Sequence, residues 1–406
     1  MVTQFLGIGG LERMILNLCR TLRIGTAWTP EVVVFDHPSN SSAEQNLIGI
    51  FEKSEIPVHV HSKPPRFSWE TVFQISRLIR ERQIDALHTH DLGALIYGVM
   101  GRWFAFSWLR GRKVRLIHTQ HSFVHMSRSW KYQLYERFFT HFVDQLSVVS
   151  QDLKETYLSL GLRPQKIHII GNGVSFGARN DVRKRLQVRR ELVEFAFAGQ
   201  NDVQAAVQEK LLNHESDHWL LYLARIHAGK GQDHAVAVWN ALSPAIRTRS
   251  TLIFVGPETD PGQLKRLEKQ IQSAADPQRI LLAGPTHHPE RWLQAADLYL
   301  SCSEFEGMPL GPIEAAGTGL PLLLSRIPGH ELLRDHSTQF DLKLPAEGAH
   351  CIEQILGAAS VDAAEDSVQP RSFHEGLLAS SRTIRSQYSL EFMAASYQAL
   401  YEHSPS

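Results

Sequence analysis

Short runs of β-branched and aliphatic residues recur along this chain, spaced by helix-length stretches, and that alternation restricts the fold more than any other feature. "EVVVFD" (31–36), "VHVHS" (58–62), "DALHTH" (85–90), "VRLIHTQ" (114–120), "QLSVVS" (145–150) and "KIHIIGN" (166–172) have the length and composition of buried strands. Between them the apolar period changes. In "LERMILNLCRTL", Leu11, Met14, Ile15, Leu18, Cys19 and Leu22 fall on one helical stripe. Strands alternating with amphipathic helices imply βαβ units and a mainly parallel sheet. "GNGV" (171–174) is a turn signal that closes this half. Residues 175–218 are polar with weak periodicity and read as a linker plus irregular helix. The alternation then restarts with "WLLYLAR" (219–225), "TLIFVG" (251–256), "RILLAG" (279–284), "DLYLSC" (297–302) and "LPLLLS" (320–325).

At 406 residues the chain exceeds one typical domain and suits two. The expected architecture is α/β, with two consecutive halves, 1–174 and 175 onward, facing each other across a cleft. In open parallel sheets ligands bind beyond the carboxyl ends of the strands. Lys+Arg and Asp+Glu both number 42, a balance that gives no reason to expect a nucleic-acid partner. Three cysteines, Cys19, Cys302 and Cys351, are odd in number and far apart, as small core residues of a reducing compartment would be. No signal peptide is apparent. The most apolar run, "LGALIYGVMGRWFAFSWL" (92–109), carries Arg102 mid-way, at a depth where a bilayer would exclude it. The expected location is cytoplasmic, at most peripheral on the inner face of the cytoplasmic membrane.

"EFEGMPLGPIEAAGTG" (304–319) follows a buried strand and contains four glycines and two prolines. Pro312 suits the first position of a helix, where its missing N–H costs nothing. The stretch therefore reads as strand, exposed turn, then helix N-terminus, which aims free N–H groups and a positive dipole end at one point. Glu306 and Glu314 bracket this anion cradle, and a carboxylate at each end suggests hydroxyls beside a phosphate. A sugar nucleotide has both. The pair also fits the acid and base of a glycoside hydrolase, and Glu314 alone fits a carboxylate complementing its own helix dipole. "ARIHAGKGQ" (224–232) ends the first strand of the second half and offers Arg225 and Lys230, a donor fork and a compact cation suited to a diphosphate. Such a pair stabilises charge on a departing diphosphate without a metal; read singly, both also fit solvated loop cations.

In the first half, "GIGGLE" (7–12) puts Gly9 and Gly10 just before the first helix, where backbone can approach a phosphate or sugar, or simply turn. "HTH" (88–90) and "HTQH" (118–121) end two strands. His88 and His90 share a strand face, but their neighbourhood lacks the ligand spacing a metal needs. His121 is the preferred hydrogen-bonding or proton-handling group; satisfied core histidines are the plain alternative. The role of the His287–His288 pair stays open. "GRWFAFSWLRGRKVR" (101–115) mixes Trp103, Phe104, Phe106 and Trp108 with five basic residues, a composition suited to a membrane interface or to a buried helix ending in a basic loop.

These motifs together resemble the retaining glycosyltransferases of the GT-B fold, in the large family-4 group. Glu306 through Glu314 is similar to that family's E-x7-E motif, with "EGMP" in place of "EGFP". "GGLERMILNLCRTL" resembles its glycine loop and first helix, and "ARIHAGKG" its "GRL…KG", with Ala224 where glycine is usual. "KIHIIGNGV" resembles the entry to the second domain, and "IPGHELL" (327–333) the late donor-site turn. "SLEFMAASYQALY" (389–401) resembles the C-terminal helix that crosses back to the first domain. The implied division is 1–174 acceptor side, 175–385 donor side and 386–406 returning helix.

The resemblance implies that Arg225 and Lys230 hold the donor diphosphate. It implies that Glu306 and the backbone of Gly307, Met308, Pro309 and Leu310 touch donor sugar and β-phosphate, and that Glu314 binds ribose hydroxyls. His121 approaches the transferred sugar, and Gly9 and Gly10 lie near diphosphate or acceptor. It further implies a UDP- or GDP-sugar donor, a sugar or lipid-linked acceptor of the cell envelope, retention of configuration, and no metal or other cofactor. A full first strand is also implied, yet this chain offers only "MVTQFL"; either the strand is short or the start lies upstream. The rivals are another GT-B enzyme, such as a nucleotide-sugar epimerase, and a catalytically silent sugar-nucleotide-binding protein.

Overall fold

A computed structural model describes residues 1–6, 10–35, 42–106, 113–121, 130–181, 183–196, 202–363 and 372–402. Gly9 lies outside them; Gly10 opens the first helix. The chain divides into two compact units, Met1–Gly173 with Tyr388–Ser406, and Val174–Gln387.

The first unit is built on seven parallel strands, β1 (Val2–Thr3), β2 (Val32–Val34), β3 (Val58–Val60), β4 (Ala86–His90), β5 (Arg115–Gln120), β6 (Gln145–Val148) and β7 (Ile167–Ile169), in the order β3-β2-β1-β4-β5-β6-β7. The strand order reverses between β1 and β4, the switch point of a doubly wound sheet. β1 is only two residues long, yet central: Val2 pairs with Val33 on one side and Thr89 on the other. Helices α1 (Gly10–Gly25), α2 (Ser42–Lys53), α3 (Trp69–Glu81), α4 (Asp91–Phe106), α5 (Trp130–Thr140) and α6 (Gln151–Ser159) connect the strands. Ser68 starts α3 by accepting the Thr71 N–H, and Val72, Ile75 and Ile79 form its buried stripe.

The apolar run that opens like a membrane span is α4, and it is a core helix. Gly98 and Gly101 let it lie close: a Cβ would stand 2.4 Å from the Thr89 methyl and 2.6 Å from the Ile75 Cγ2. Arg102 ends the buried part in an ion pair with Asp144 at 2.6 Å. Among the described residues no helix is long and apolar enough to cross a membrane.

The second unit has six parallel strands, β8 (His218–Leu223), β9 (Ser250–Val255), β10 (Ile280–Gly284), β11 (Leu298–Ser301), β12 (Leu322–Ser325) and β13 (Thr338–Phe340), in the order β10-β9-β8-β11-β12-β13. Its switch point lies between β8 and β11. The helices are α7 (Arg185–Ala196), α8 (Asp202–Asn213), α9 (Gln232–Ala241), α10 (Pro244–Arg247), α11 (Gln263–Gln272), α12 (Pro289–Ala295), α13 (Leu310–Thr318), α14 (Pro345–Ala363) and α15 (Ser372–Tyr388). Trp219, Trp239 and Trp292 are all fully buried, each worth roughly 1.5–3 kcal/mol or more of transfer free energy.

Residues 175–218 are not an irregular linker. They carry α7 and α8, and α7 is held by charge. Arg189, 3% exposed, donates to the carbonyls of Ala295 at 2.8 Å and Glu215 at 2.6 Å, and ion-pairs with Asp297, as Arg185 does. Burial alone would raise the Asp297 carboxyl, but the two guanidiniums hold it below its ordinary value. The buried stripe of α7 mixes Arg189 with Leu192 and Val193, which weakens the apolar period and makes the helix read as irregular. In the first unit, α16 (Leu390–Glu402) buries Met393, Tyr397 and Tyr401 in one cluster with Leu18 and Leu22 of α1 and Ile117 of β5.

Candidate functional site

The two strands flanking the second switch point deliver opposite charges to one place. After β8 the chain passes Arg225, makes a 3-10 turn over Ala228–Lys230 and enters α9. After β11 it runs through Ser303 and Glu306 to α13. The Lys230 ammonium donates to Glu306 Oε1 at 2.6 Å, and the Ser303 hydroxyl donates to the same oxygen at 2.7 Å. Side-chain exposures of 22% and 11% leave the pair shielded but reachable. Charge-assisted bonds of this length are the strong kind. Among the described residues no hydrogen bond reaches Glu306 Oε2, so it is available to a ligand hydroxyl.

Backbone geometry makes this approach achievable. Gly231 has φ +65°, and a Cβ there would stand 1.9 Å from the Cys302 carbonyl oxygen. Gly329, in the turn Pro328–His336, packs on the other side, where a Cβ would meet the Glu306 carbonyl oxygen at 2.3 Å. Tyr222 ties the two loops together: its hydroxyl donates to the Lys230 carbonyl and accepts the Cys302 N–H at 2.9 Å. Burial first, with Cys302 and the nearby Glu306 charge, pushes the Tyr222 phenol well above its ordinary value, so it keeps the proton it donates. The Glu304 N–H adds a third tie, to the Gly229 carbonyl at 3.1 Å. Ser303 and Tyr222 carry no motif of their own, whereas Gly231 closes "ARIHAGKG" and Gly329 falls in "IPGHELL".

Helix α13 begins at Leu310, two residues earlier than Pro312 would place it. Pro312 still lies within the first turn, where no intrahelical donor is needed. The first helical bond runs from the Ile313 N–H to the Pro309 carbonyl at 3.0 Å. Gly307 is exposed, Met308 and Leu310 are half-buried and Pro309 is buried, so the cradle opens to solvent at its glycine end. Glu314 is half-buried one turn into α13, and with Glu306 it raises the buried Tyr299 phenol, burial being the larger cause. Arg225 is exposed at the end of β8, its carbonyl accepting the Gln232 side chain at 2.8 Å. A groove of about 510 Å³ adjoins these loops, lined by Ile226, Gln232, Arg266 and Glu304 among others.

At the end of β4 and β5 in the first unit the polar groups are histidines. His88 is a satisfied core residue: Nδ1 meets the Tyr401 hydroxyl at 2.8 Å and Nε2 the Thr119 hydroxyl at 2.7 Å. His90 Nδ1 lies 3.2 Å from His121 Nε2. Among the described residues, His90 Nε2 and His121 Nδ1 are buried without a hydrogen-bond partner. Burial drives the His121 imidazole down to about 4, against an upward pull from Asp91. Burial likewise holds His88 and His90 well below their ordinary value, so all three rings are neutral at pH 7. Among the described residues no group of three or more His, Cys, Asp or Glu side chains is placed to hold a metal ion. In the second unit His288 faces Glu290 at 3.2 Å.

A family model described as Glycosyltransferase Family 4 matches residues 8–176, and one described as Glycosyl transferases group 1 matches residues 217–357. The chain is 26% identical over 273 residues to the UDP-Gal:alpha-D-GlcNAc-diphosphoundecaprenol alpha-1,3-galactosyltransferase of Escherichia coli, covering 65% of this chain and 63% of that one. It is 27% identical over 179 residues to the lipopolysaccharide core biosynthesis mannosyltransferase LpsB of Rhizobium meliloti, covering 43% and 50%. The matched stretches thus span between half and just under two thirds of those relatives. Among solved structures, Anabaena Alr3699/HepE in complex with UDP superposes with TM-score 0.74 at 15% identity, covering 98% of this chain and 97% of that one. A glycosyltransferase from Rickettsia africae gives 0.73 at 16% identity, covering 99% and 97%. The two family matches together span more than half of the sequence, and the two parallel sheets are those of the GT-B fold: this chain belongs to the family-4, group 1 glycosyltransferases.

Proposed function

We propose that this chain transfers a sugar from a nucleoside-diphosphate donor to an acceptor hydroxyl with retention of configuration, using no metal, in cell-envelope polysaccharide or glycolipid assembly. The observation that carries the reading is the Lys230–Glu306 pair at 2.6 Å, set at the switch point beside the start of α13. A departing diphosphate gains negative charge as the glycosidic bond breaks. Lys230 and the N-terminal end of α13 oppose that charge, and an exposed Arg225 adds a bidentate fork. Glu306 holds the Lys230 ammonium in place through Oε1 and offers Oε2 to a sugar hydroxyl. Glu314 is assigned to ribose hydroxyls. His121, neutral through burial, is assigned to hydroxyl-bearing sugar on the acceptor-side unit. HepE of Anabaena, solved with UDP and with UDP-glucose, favours uridine as the base. The E. coli relative, named for a diphosphoundecaprenol acceptor, favours a lipid-linked one.

A thermal-shift screen against UDP, GDP, ADP and their sugar conjugates, with and without EDTA, tests the reading, since a ligand bound only by the folded state raises the Tm. The expected result is a shift with a uridine nucleotide that EDTA does not reduce and that Glu314→Ala removes. A shift abolished by EDTA overturns the metal-free mechanism. Binding without turnover on any lipid-linked sugar would return the chain to the silent-binder class.

A further inference from the structure

Behind the Lys230–Glu306 pair lies a column of buried polar side chains. Ser303 follows β11, Ser325 ends β12 and His330 belongs to the turn Pro328–His336; all three are buried, His330 completely. Polar groups at that depth are kept where each is bonded. His330 Nδ1 lies 2.8 Å from the Ser325 carbonyl oxygen, and the Ser325 hydroxyl donates to the Ser303 carbonyl at 2.6 Å. The Ser303 hydroxyl in turn donates to Glu306 Oε1 at 2.7 Å. His330 is thus joined to Glu306 through two serines. The backbone of the turn is fixed as well: the His330 N–H donates to the Ile327 carbonyl at 3.0 Å, and its carbonyl accepts the Gln339 side chain at 3.2 Å.

The state of the ring follows from its neighbours. A carbonyl only accepts, so Nδ1 carries the N–H. Burial lowers the His330 imidazole by more than the Ser325 bond and the Glu306 charge raise it, and Lys230 adds to the lowering. A neutral ring with its proton on Nδ1 presents a bare lone pair at Nε2, and among the described residues that atom has no hydrogen-bond partner. For packing alone an apolar side chain would serve better, since a buried acceptor without a donor costs free energy. What the ring supplies is restraint. With no N–H to spare it offers Glu306 no bond, so the carboxylate gains nothing by turning toward it. Oε2 is left for a ligand hydroxyl.

We infer that His330 is a positioning residue: through Ser325 and Ser303 it fixes the Glu306 carboxylate so that Oε1 stays with Lys230 and Oε2 serves the transferred sugar. This rests on the assignment of Glu306 to the donor sugar under the proposed function. Lys230 keeps its charge for the diphosphate whatever stands at position 330. The inference therefore separates sugar recognition from nucleotide recognition.

Titration calorimetry of the full chain with UDP, UDP-glucose and UDP-galactose reads that separation. His330→Leu, similar in size but without an N–H, should weaken whichever sugar nucleotide the parent binds by about fivefold or more and change UDP by less than about twofold. Ser325→Ala, which cuts the tie to Ser303, should do the same. His330→Asn, whose amide can donate where Nδ1 does, should recover most of the loss. Arg334→Ala, exposed in the same turn, should change neither ligand. Urea unfolding adds a readout that needs no ligand. His330→Leu and Glu306→Gln should be coupled, the double variant departing by about fivefold or more from the product of the single effects on the folding constant. Equal weakening of UDP and the sugar nucleotides overturns the inference, because a merely structural ring would produce it. So does an Asn variant that restores nothing, or additive unfolding. A parent that binds no uridine nucleotide defeats the proposed function instead, and the coupling alone then decides for or against His330.

Discussion

Two polar clusters occupy matching places in the two units, each at the carboxyl ends of strands beside a switch point, and they handle charge in opposite ways. In the second unit a lysine and a glutamate meet at 2.6 Å in a shielded setting. In the first, the His88 and His90 rings lie tilted with centroids 4.2 Å apart and His90 meets His121 at 3.2 Å, with burial keeping the rings neutral. The same topology therefore builds one charged pole and one neutral pole. What decides between them is the partner each buried group is given, because an isolated charge at that depth costs several kcal/mol.

The largest effect should come from breaking the charged pole. Lys230→Met leaves Glu306 with only the Ser303 hydroxyl, so stability should fall by about 1–3 kcal/mol and transfer by about 10³-fold. Adding Glu306→Gln removes the stranded charge. The double variant should recover most of the stability in urea unfolding and none of the turnover, read as nucleoside diphosphate released. Recovery of turnover in the double variant would mean that the pair is structural and that the contrast between the poles has no chemical content.

Acid should break the neutral pole next. A buried base whose folded value is depressed takes up its proton only on unfolding, so the unfolded chain binds more protons once pH drops below about 6.5. The contribution of His121 is present above that pH and is lost as pH falls toward its folded value of about 4. At pH 5 this amounts to roughly 2 kcal/mol, at about 1.4 kcal/mol per pH unit. Hydrogen exchange should therefore show β4 and β5 losing protection between pH 7 and 5 before β8 and β11 do. His218 and His330 are also depressed in the second unit, by burial first, but by less than His121. If β8 and β11 open first, the assignment of the neutral pole to the first unit is wrong.

The charged pole was legible in the sequence and the neutral one only partly so. Lys230, Glu306 and the start of α13 sit on short, turn-rich segments directly after strands, where spacing fixes position. The internal strands were likewise visible as apolar runs, whereas β13, "TQF" at a sheet edge, has no run to see. His88 and His121 look alike in sequence, and only the tertiary partners separate them: Tyr401, 313 residues away, satisfies the first. α7 read only as irregular helix because its buried stripe mixes Arg189 with Leu192 and Val193. Gly9, assigned from its motif, lies outside the described residues.

The smallest effect should sharpen the charged pole. Arg225 is exposed and its side chain ties down no loop, so Arg225→Ala should leave stability within about 0.5 kcal/mol. If it serves as the diphosphate fork, donor affinity should still weaken about tenfold, or 1.4 kcal/mol, with a smaller change in turnover than Lys230→Met produces. Arg225→Lys then separates two ways of helping. A point charge would restore an effect that depends on net charge alone, whereas planar, two-pronged recognition would stay impaired. Measured by titration calorimetry with the uridine diphosphate sugar, equal affinity for the Lys and parent forms would reduce Arg225 to general electrostatic attraction. It would also leave Lys230, held by Glu306, as the cation whose position matters.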